Sequence, residues 1–356
     1  MQTSDTPRQQ GARPTPLGIA LKYGVPVIIT VGLCYLLVRG VNISEMWTTI
    51  RTECDFRWIA VNLLLLIGAM LARAARWQLQ LRALGIRASL WVLTLSVFGT
   101  YAVNLVFPRL GEIWRTGFIA ERQKAQFTTV FGSMVADRLS DTVAVGLISL
   151  AAFILAGPEL MAYLGQNPGL GARIMAMIAS PVLWGVVAAI FCITLWLFIR
   201  YPEQRVIAAV RKAALGLWRG FAVIAGMPGK GLWLFYTILL WACYFIGLAC
   251  AFMSFPLTAE VLAVHGITAL LVCFVLTSLS MLVPSNGGIG PWQWAMIFGL
   301  GLYSSGIAGL TKEYMTSFAN LALGVQTITS IILGILTFVW IALDKRSKKP
   351  SENEMD

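Results

Sequence analysis

Apolar runs of about 20 residues recur along this sequence, each long enough to cross a hydrocarbon core about 30 Å thick. Runs of that length and continuity exclude a β-barrel, whose strands are short and alternate in polarity. They also exclude a soluble domain. Only 12% of the 356 residues are charged and 58% are hydrophobic, where a soluble chain carries about 25% charged residues. The expected fold is all-α. It is a polytopic helical membrane protein with about eight transmembrane helices plus re-entrant or broken segments.

Loop charge gives the expected topology. A polar, proline-rich tail over residues 1–19 reads as a disordered cytoplasmic segment rather than a signal peptide. Tyr23 to Val38 is the first apolar run, and the loop Arg39 to Arg57 is neutral. Trp58 to Leu71 follows, and then Arg73, Arg76, Arg82 and Arg87 come without an acid, the pattern of a cytoplasmic loop. Phe127 to Ala156, Pro181 to Ile199, Gly231 to Phe255, Val261 to Val283 and Thr316 to Trp340 supply further runs. Val206 to Ala225 mixes basic and apolar residues and suits the membrane interface. Lys345, Arg346, Lys348 and Lys349 keep a charged C-terminal tail, residues 344–356, in the cytoplasm. The membrane domain then covers residues 20–343. The net charge of +11 is spread over short loops and tails, as a membrane protein in contact with anionic lipid requires, and gives no reason to expect nucleic acid.

Two runs are interrupted. Leu90 to Phe107 ends in Asn104–Arg115, NLVFPRLGEIWR, where Pro108 and Gly111 break the pattern and Arg109, Glu112 and Arg115 stand three apart. If this run crossed, Arg109, Arg115, Arg122 and Lys124 would lie outside, against the charge rule, so re-entry is expected. The second break is Val283–Trp292, VPSNGGIGPW, with Pro284, Gly287, Gly288 and Gly290. One interrupted segment in each half suggests an inverted repeat with a site at its interface.

These breaks carry the candidate residues. Arg109 and Arg115 can grip a phosphate through the planar guanidinium fork, with Glu112 holding an arginine or taking a proton. Within a later run, Asp137, Arg138 and Asp141 form an intramembrane charge network. It either pairs with itself or supplies acid to Arg109 or Arg115. The glycines of the second break expose backbone N–H groups, and a helix starting there points its positive end at an anion. Arg73, Arg76 and Arg82 read mainly as topology anchors, although Arg76 beside Trp77 could also hold a headgroup. His265 is the single histidine, and the cysteines form no CxxC pair. No metal site or cofactor is expected.

The segments ARAARWQLQLRALG, NLVFPRLGEIWR, ADRLSD and LSMLVPSNGGIG, in this order, resemble the lysylphosphatidylglycerol synthase transmembrane region, the flippase-like UPF0104 family. The resemblance implies a re-entrant helical domain that moves, or helps to process, an anionic or isoprenoid-linked lipid. By that likeness Arg109, Gly111, Glu112 and Arg115 match one motif, and Arg138 and Asp141 another, in which Asp137 replaces the more usual Glu. The late glycine motif is often followed by Arg-Glu in the family; here Pro291-Trp292-Gln293 stands instead. With Asp344 to Asp356 alone after the last run, the soluble aminoacyl-transferase domain of full-length synthases is not expected here, nor is the chain expected to be an enzyme. The expected function is a lipid flippase of a bacterial inner membrane, with both termini cytoplasmic. The alternatives are a membrane subunit presenting a lipid to a separate transferase and a proton-coupled solute transporter.

Overall fold

Inside a bilayer the backbone has no water to bond, so each apolar run closes its own hydrogen bonds as a helix. In this computed structural model residues 43–166, 179–200, 226–304 and 306–347 are described, with the single residues 169, 172, 176 and 204. The expectations for residues 1–19, Tyr23 to Val38, Val206 to Ala225 and 348–356 lie outside them. The described residues form ten helices and no strand: α1 Ile43–Glu53, α2 Phe56–Ala83, α3 Leu90–Val106, α4 Leu110–Arg122, α5 Phe127–Gln166, α6 Pro181–Arg200, α7 Lys230–Met253, α8 Pro256–Ser280, α9 Pro291–Leu302 and α10 Lys312–Ser347. Five of them (α2, α5, α7, α8 and α10) contain stretches long and apolar enough to cross a membrane.

The frame is the antiparallel pair α2 and α7. Asp55 N donates to Ser254 O at 2.8 Å at one end, Gly247 packs on Asn62 and Gly68 on Cys243 along the pair, and Arg76 lies over Trp233 towards the other end. Each of these helices leads into a helical hairpin. The first is α3 and α4, 17 and 13 residues long, or about 25 and 20 Å at 1.5 Å per residue. The chain reverses at Phe107–Arg109, with Arg109 left-handed at φ 62°. Gly111 then packs directly on the Thr100 carbonyl and the Asn104 side chain, leaving no space for a Cβ. Asn104 accepts from Gly111 N at 2.8 Å and so caps α4 from the neighbouring helix.

The second hairpin is built from α8 and α9. Gly266 (φ 63°, ψ −149°) kinks α8, and the part beyond the kink packs against α9 through Cys273, Leu276 and Gly299. Its turn, between Met281 and Gly290, uses positive φ at Gly287, Gly288 and Gly290. Because α2 and α7 run in opposite directions, the hairpins enter from opposite ends and meet at their tips. Arg109 Nη2 donates to Leu282 O at 2.9 Å, and Leu105 fills the space where Gly287 lacks a side chain. Each hairpin is followed by a long helix that returns along it, α5 after the first and α10 after the second, and that helix also packs on the opposite hairpin. The result is a pair of inverted repeats, with one buried hydrophobic cluster around each hairpin.

Several expected boundaries shift. The second run does not end at Leu71. The helix continues to Ala83 and carries Arg73 and Arg76 inside it, both buried, so these two are not topology anchors. Arg82 and Arg87 remain exposed beyond them. Gly157-Pro158 does not stop α5, which extends to Gln166; one missing N–H is tolerated in a long helix of this kind. Val261 to Val283 corresponds to α8, which begins at Pro256, kinks at Gly266 and ends at Ser280 before the turn into α9.

Candidate functional site

The charges expected at the first break and in α5 come together with arginines of α2, about 15 Å along α5 from its start at 1.5 Å per residue. Arg76 bonds Asp137 through Nε at 2.9 Å and Nη2 at 2.7 Å, and Asp141 through Nη2 at 2.8 Å. Arg73 pairs with Asp141 and lies 3.7 Å from Asp137. These four side chains form a neutral, buried crosslink between α2 and α5. The acids of α5 therefore take their closest partners from α2 rather than from their own helix, Arg109 or Arg115. Arg76, a candidate for holding a headgroup, bonds the acids through Nε and Nη2, and its Nη1 has no hydrogen-bond partner among the described residues.

Glu112 stands at the third position of α4 and receives Arg138 Nη2 at 2.8 Å, while Asn104 donates to both its carboxylate oxygens at 3.3 and 3.4 Å. Arg138 also lies 3.8 Å from Asp141, which links this half-exposed pair to the buried crosslink. Arg109 does not share a face with Glu112 and Arg115. It precedes the helix, and its guanidinium caps Leu282 of the opposite hairpin.

Arg115 is different. It is 0% exposed, its guanidinium lies over the Trp77 ring at 3.7 Å, and none of its three side-chain nitrogens has a hydrogen-bond partner among the described residues. A stacked indole offsets part of the cost of burying a cation, not the missing hydrogen bonds. Four arginines (Arg73, Arg76, Arg115, Arg138) face three acids (Glu112, Asp137, Asp141), leaving one positive charge in excess. The unbonded buried atoms are skewed the same way. Arg73 Nε, Arg76 Nη1, Arg138 Nε and the Arg115 nitrogens lack acceptors, whereas Asp137 Oδ2 is the corresponding acid atom without a donor. A buried cluster rich in free N–H groups and positive charge is suited to an anion with several oxygens, such as a phosphate.

The second break contributes less backbone than its glycines suggest. Gly290 N is already bonded to Gln293 Oε1 at 2.8 Å, and Gly288 is buried. Pro284 lies exposed in the turn. Sequence reasoning named Gln293 only as a departure from the family motif, and missed its partner Asn320, bonded at 2.6 Å, and the Tyr101–Tyr244 hydroxyl pair at 3.0 Å. The equal placing of Glu112 and Gln293, each third in the helix that follows a break, was the available signal. The His265 ring lies tilted against Tyr303, with centroids 5.0 Å apart, and no group of metal-ligating side chains occurs among the described residues.

No curated protein and no solved structure matches the chain. The family described as the lysylphosphatidylglycerol synthase transmembrane region matches residues 24–334. That family ties the protein to lipid metabolism or transport and to a multi-pass membrane location. By a match over most of its length, together with the all-helical architecture, the chain belongs to the lysylphosphatidylglycerol synthase transmembrane-region family.

Proposed function

We propose that this protein moves an anionic lipid, a phospholipid or an isoprenoid-linked phosphate, across a bacterial inner membrane without a covalent step of its own. The observation that carries this reading is Arg115, a fully buried arginine with no acid and no hydrogen-bond acceptor of its own. An intramembrane cation of this kind is costly unless an anion visits it. The half-exposed pair Glu112–Arg138 and the exposed Arg109 lie on the way in. Parting of the hairpin tips, held by Arg109 on Leu282, opens Arg115 to the headgroup while the tails stay in lipid. The helix starts of α4 and α9 add their positive ends to the same region from the two faces. The crosslink of α2 and α5 provides the rigid wall. Both termini are cytoplasmic in this reading.

The test is lipid scrambling in reconstituted vesicles. Arg115→Met, Arg109→Ala and Glu112→Gln are each expected to slow movement of labelled phosphatidylglycerol at least tenfold. Unchanged rates in all three would sink the assignment. No movement by the wild-type protein, with lipid still bound tightly, would point instead to a subunit that presents lipid to a separate transferase.

A further inference from the structure

The inverted repeats place one residue pair at equivalent positions near the two tips. In the first hairpin the third residue of the second helix, Glu112, bonds Arg138 on the following long helix, 26 residues on, at 2.8 Å. In the second hairpin the third residue, Gln293, bonds Asn320 on the following long helix, 27 residues on, at 2.6 Å. One pair is ionic; its counterpart is a neutral pair of amides. Local structure does not require the amide. Gln293 accepts from Gly290 N to cap α9, and a glutamate would cap a helix start as well. The amide supplies the Nε2 donor that bonds Asn320, and it keeps this position neutral where its counterpart is charged.

Resting on the lipid reading above, we infer that the site takes an anionic headgroup that carries no ammonium group, and that Gln293 and Asn320 set this preference. A headgroup amine needs an acid to receive it. Each of the three acids of the site is already paired with an arginine, and the cluster holds one positive charge in excess. At the tip of the second hairpin, the place where a further acid could stand is filled by Gln293. What that tip offers is neutral acceptors, among them Asn286 Oδ1, which is buried with no hydrogen-bond partner. A neutral carbonyl oxygen suits a hydroxyl or an amide N–H. It does not compensate a full positive charge in a low-dielectric site. The matching ligand has a phosphate for the arginines and an uncharged hydroxyl- or amide-bearing group beyond it, such as glycerol or a sugar. An aminoacyl or ethanolamine headgroup brings an ammonium charge that meets no free acid there.

The test compares three labelled lipids in vesicles containing the full-length protein: phosphatidylglycerol, phosphatidylethanolamine and lysylphosphatidylglycerol. The wild-type protein is expected to move the first at least tenfold faster than either amine-bearing lipid. Gln293→Glu, and separately Asn320→Asp, should cut that ratio at least fivefold by giving the amine a carboxylate. Two variants are used so that one poorly folded protein does not decide the matter. Equal wild-type rates for all three lipids would overturn the inference while leaving lipid transport intact, as would an unchanged ratio in both variants. Movement of none of them would remove the lipid reading, and this inference with it.

Discussion

Asp137→Asn tests whether the buried crosslink holds α2 to α5. Asp137 is 0% exposed and is bonded by Arg76 Nε at 2.9 Å and Nη2 at 2.7 Å, with Arg73 at 3.7 Å. The substitution leaves two buried arginines facing Asp141 alone. Two magnitudes compete. Neutral interhelical hydrogen bonds in membrane proteins contribute only about 0.6 kcal/mol on average. Removing one partner of a buried ion pair costs about 3–5 kcal/mol, because the remaining charge stays uncompensated. The second applies here, since the loss leaves a charge rather than a neutral donor. The expected drop in apparent melting temperature in detergent is roughly 6–10 °C, at about 2 °C per kcal/mol for a chain of this size. The decisive variant combines Asp137→Leu with Arg76→Met. It removes the charges in balance and leaves Arg73 with Asp141, so it should recover most of the loss. A melting temperature within about 2 °C of wild type for Asp137→Asn, or a double variant as unstable as the sum of its singles, would refute the reasoning.

Arg115→Met should raise the melting temperature while abolishing headgroup binding, because it removes an uncompensated buried cation from a stacked site on Trp77; a fall in both measurements would mean that Arg115 is structural. Gly111→Ala should destabilise the protein by about 1–3 kcal/mol, since the added methyl meets the Thr100 carbonyl, which cannot move aside as a side chain could; thermal unfolding reads this directly. Burial pushes the Cys54 thiol, outside the spanning helices, up to about 11. Its reactive thiolate is absent at neutral pH and appears as pH rises towards that value. Maleimide labelling at pH 8 should therefore run roughly 100-fold slower than for an unhindered cysteine of pKa near 8.5, with the difference closing by pH 11.

The repeat was legible only in outline. Pro108 with Gly111, and Pro284 with its three glycines, marked two breaks, and the charge conflict around Arg109 and Arg122 pointed to re-entry. Arg73 and Arg76 were misplaced because positive charge beyond an apolar run looks alike whether it faces water or a buried acid on another helix. The two acids of α5, Asp137 and Asp141, lie about 60 to 70 positions further along, at separations of 61, 65 and 68 residues. Spacing along one helix cannot report a partner on the next. The same holds for Arg138, which has Asp141 within reach on its own helix, yet bonds Glu112 across the gap.

Composition and periodicity by themselves determined that the chain is a helical membrane protein, because apolar runs of this length have no other stable home. The motif order carried the family, and local breakers placed the two hairpin turns. Tertiary structure alone decided which charges neutralise one another. It set α2 antiparallel to α7, brought the hairpins in from opposite faces, and gave Asp137 and Asp141 to Arg73 and Arg76. Arg115 was thereby left over. That remainder is a property of packing, since a residue is unpaired only with respect to everything that surrounds it.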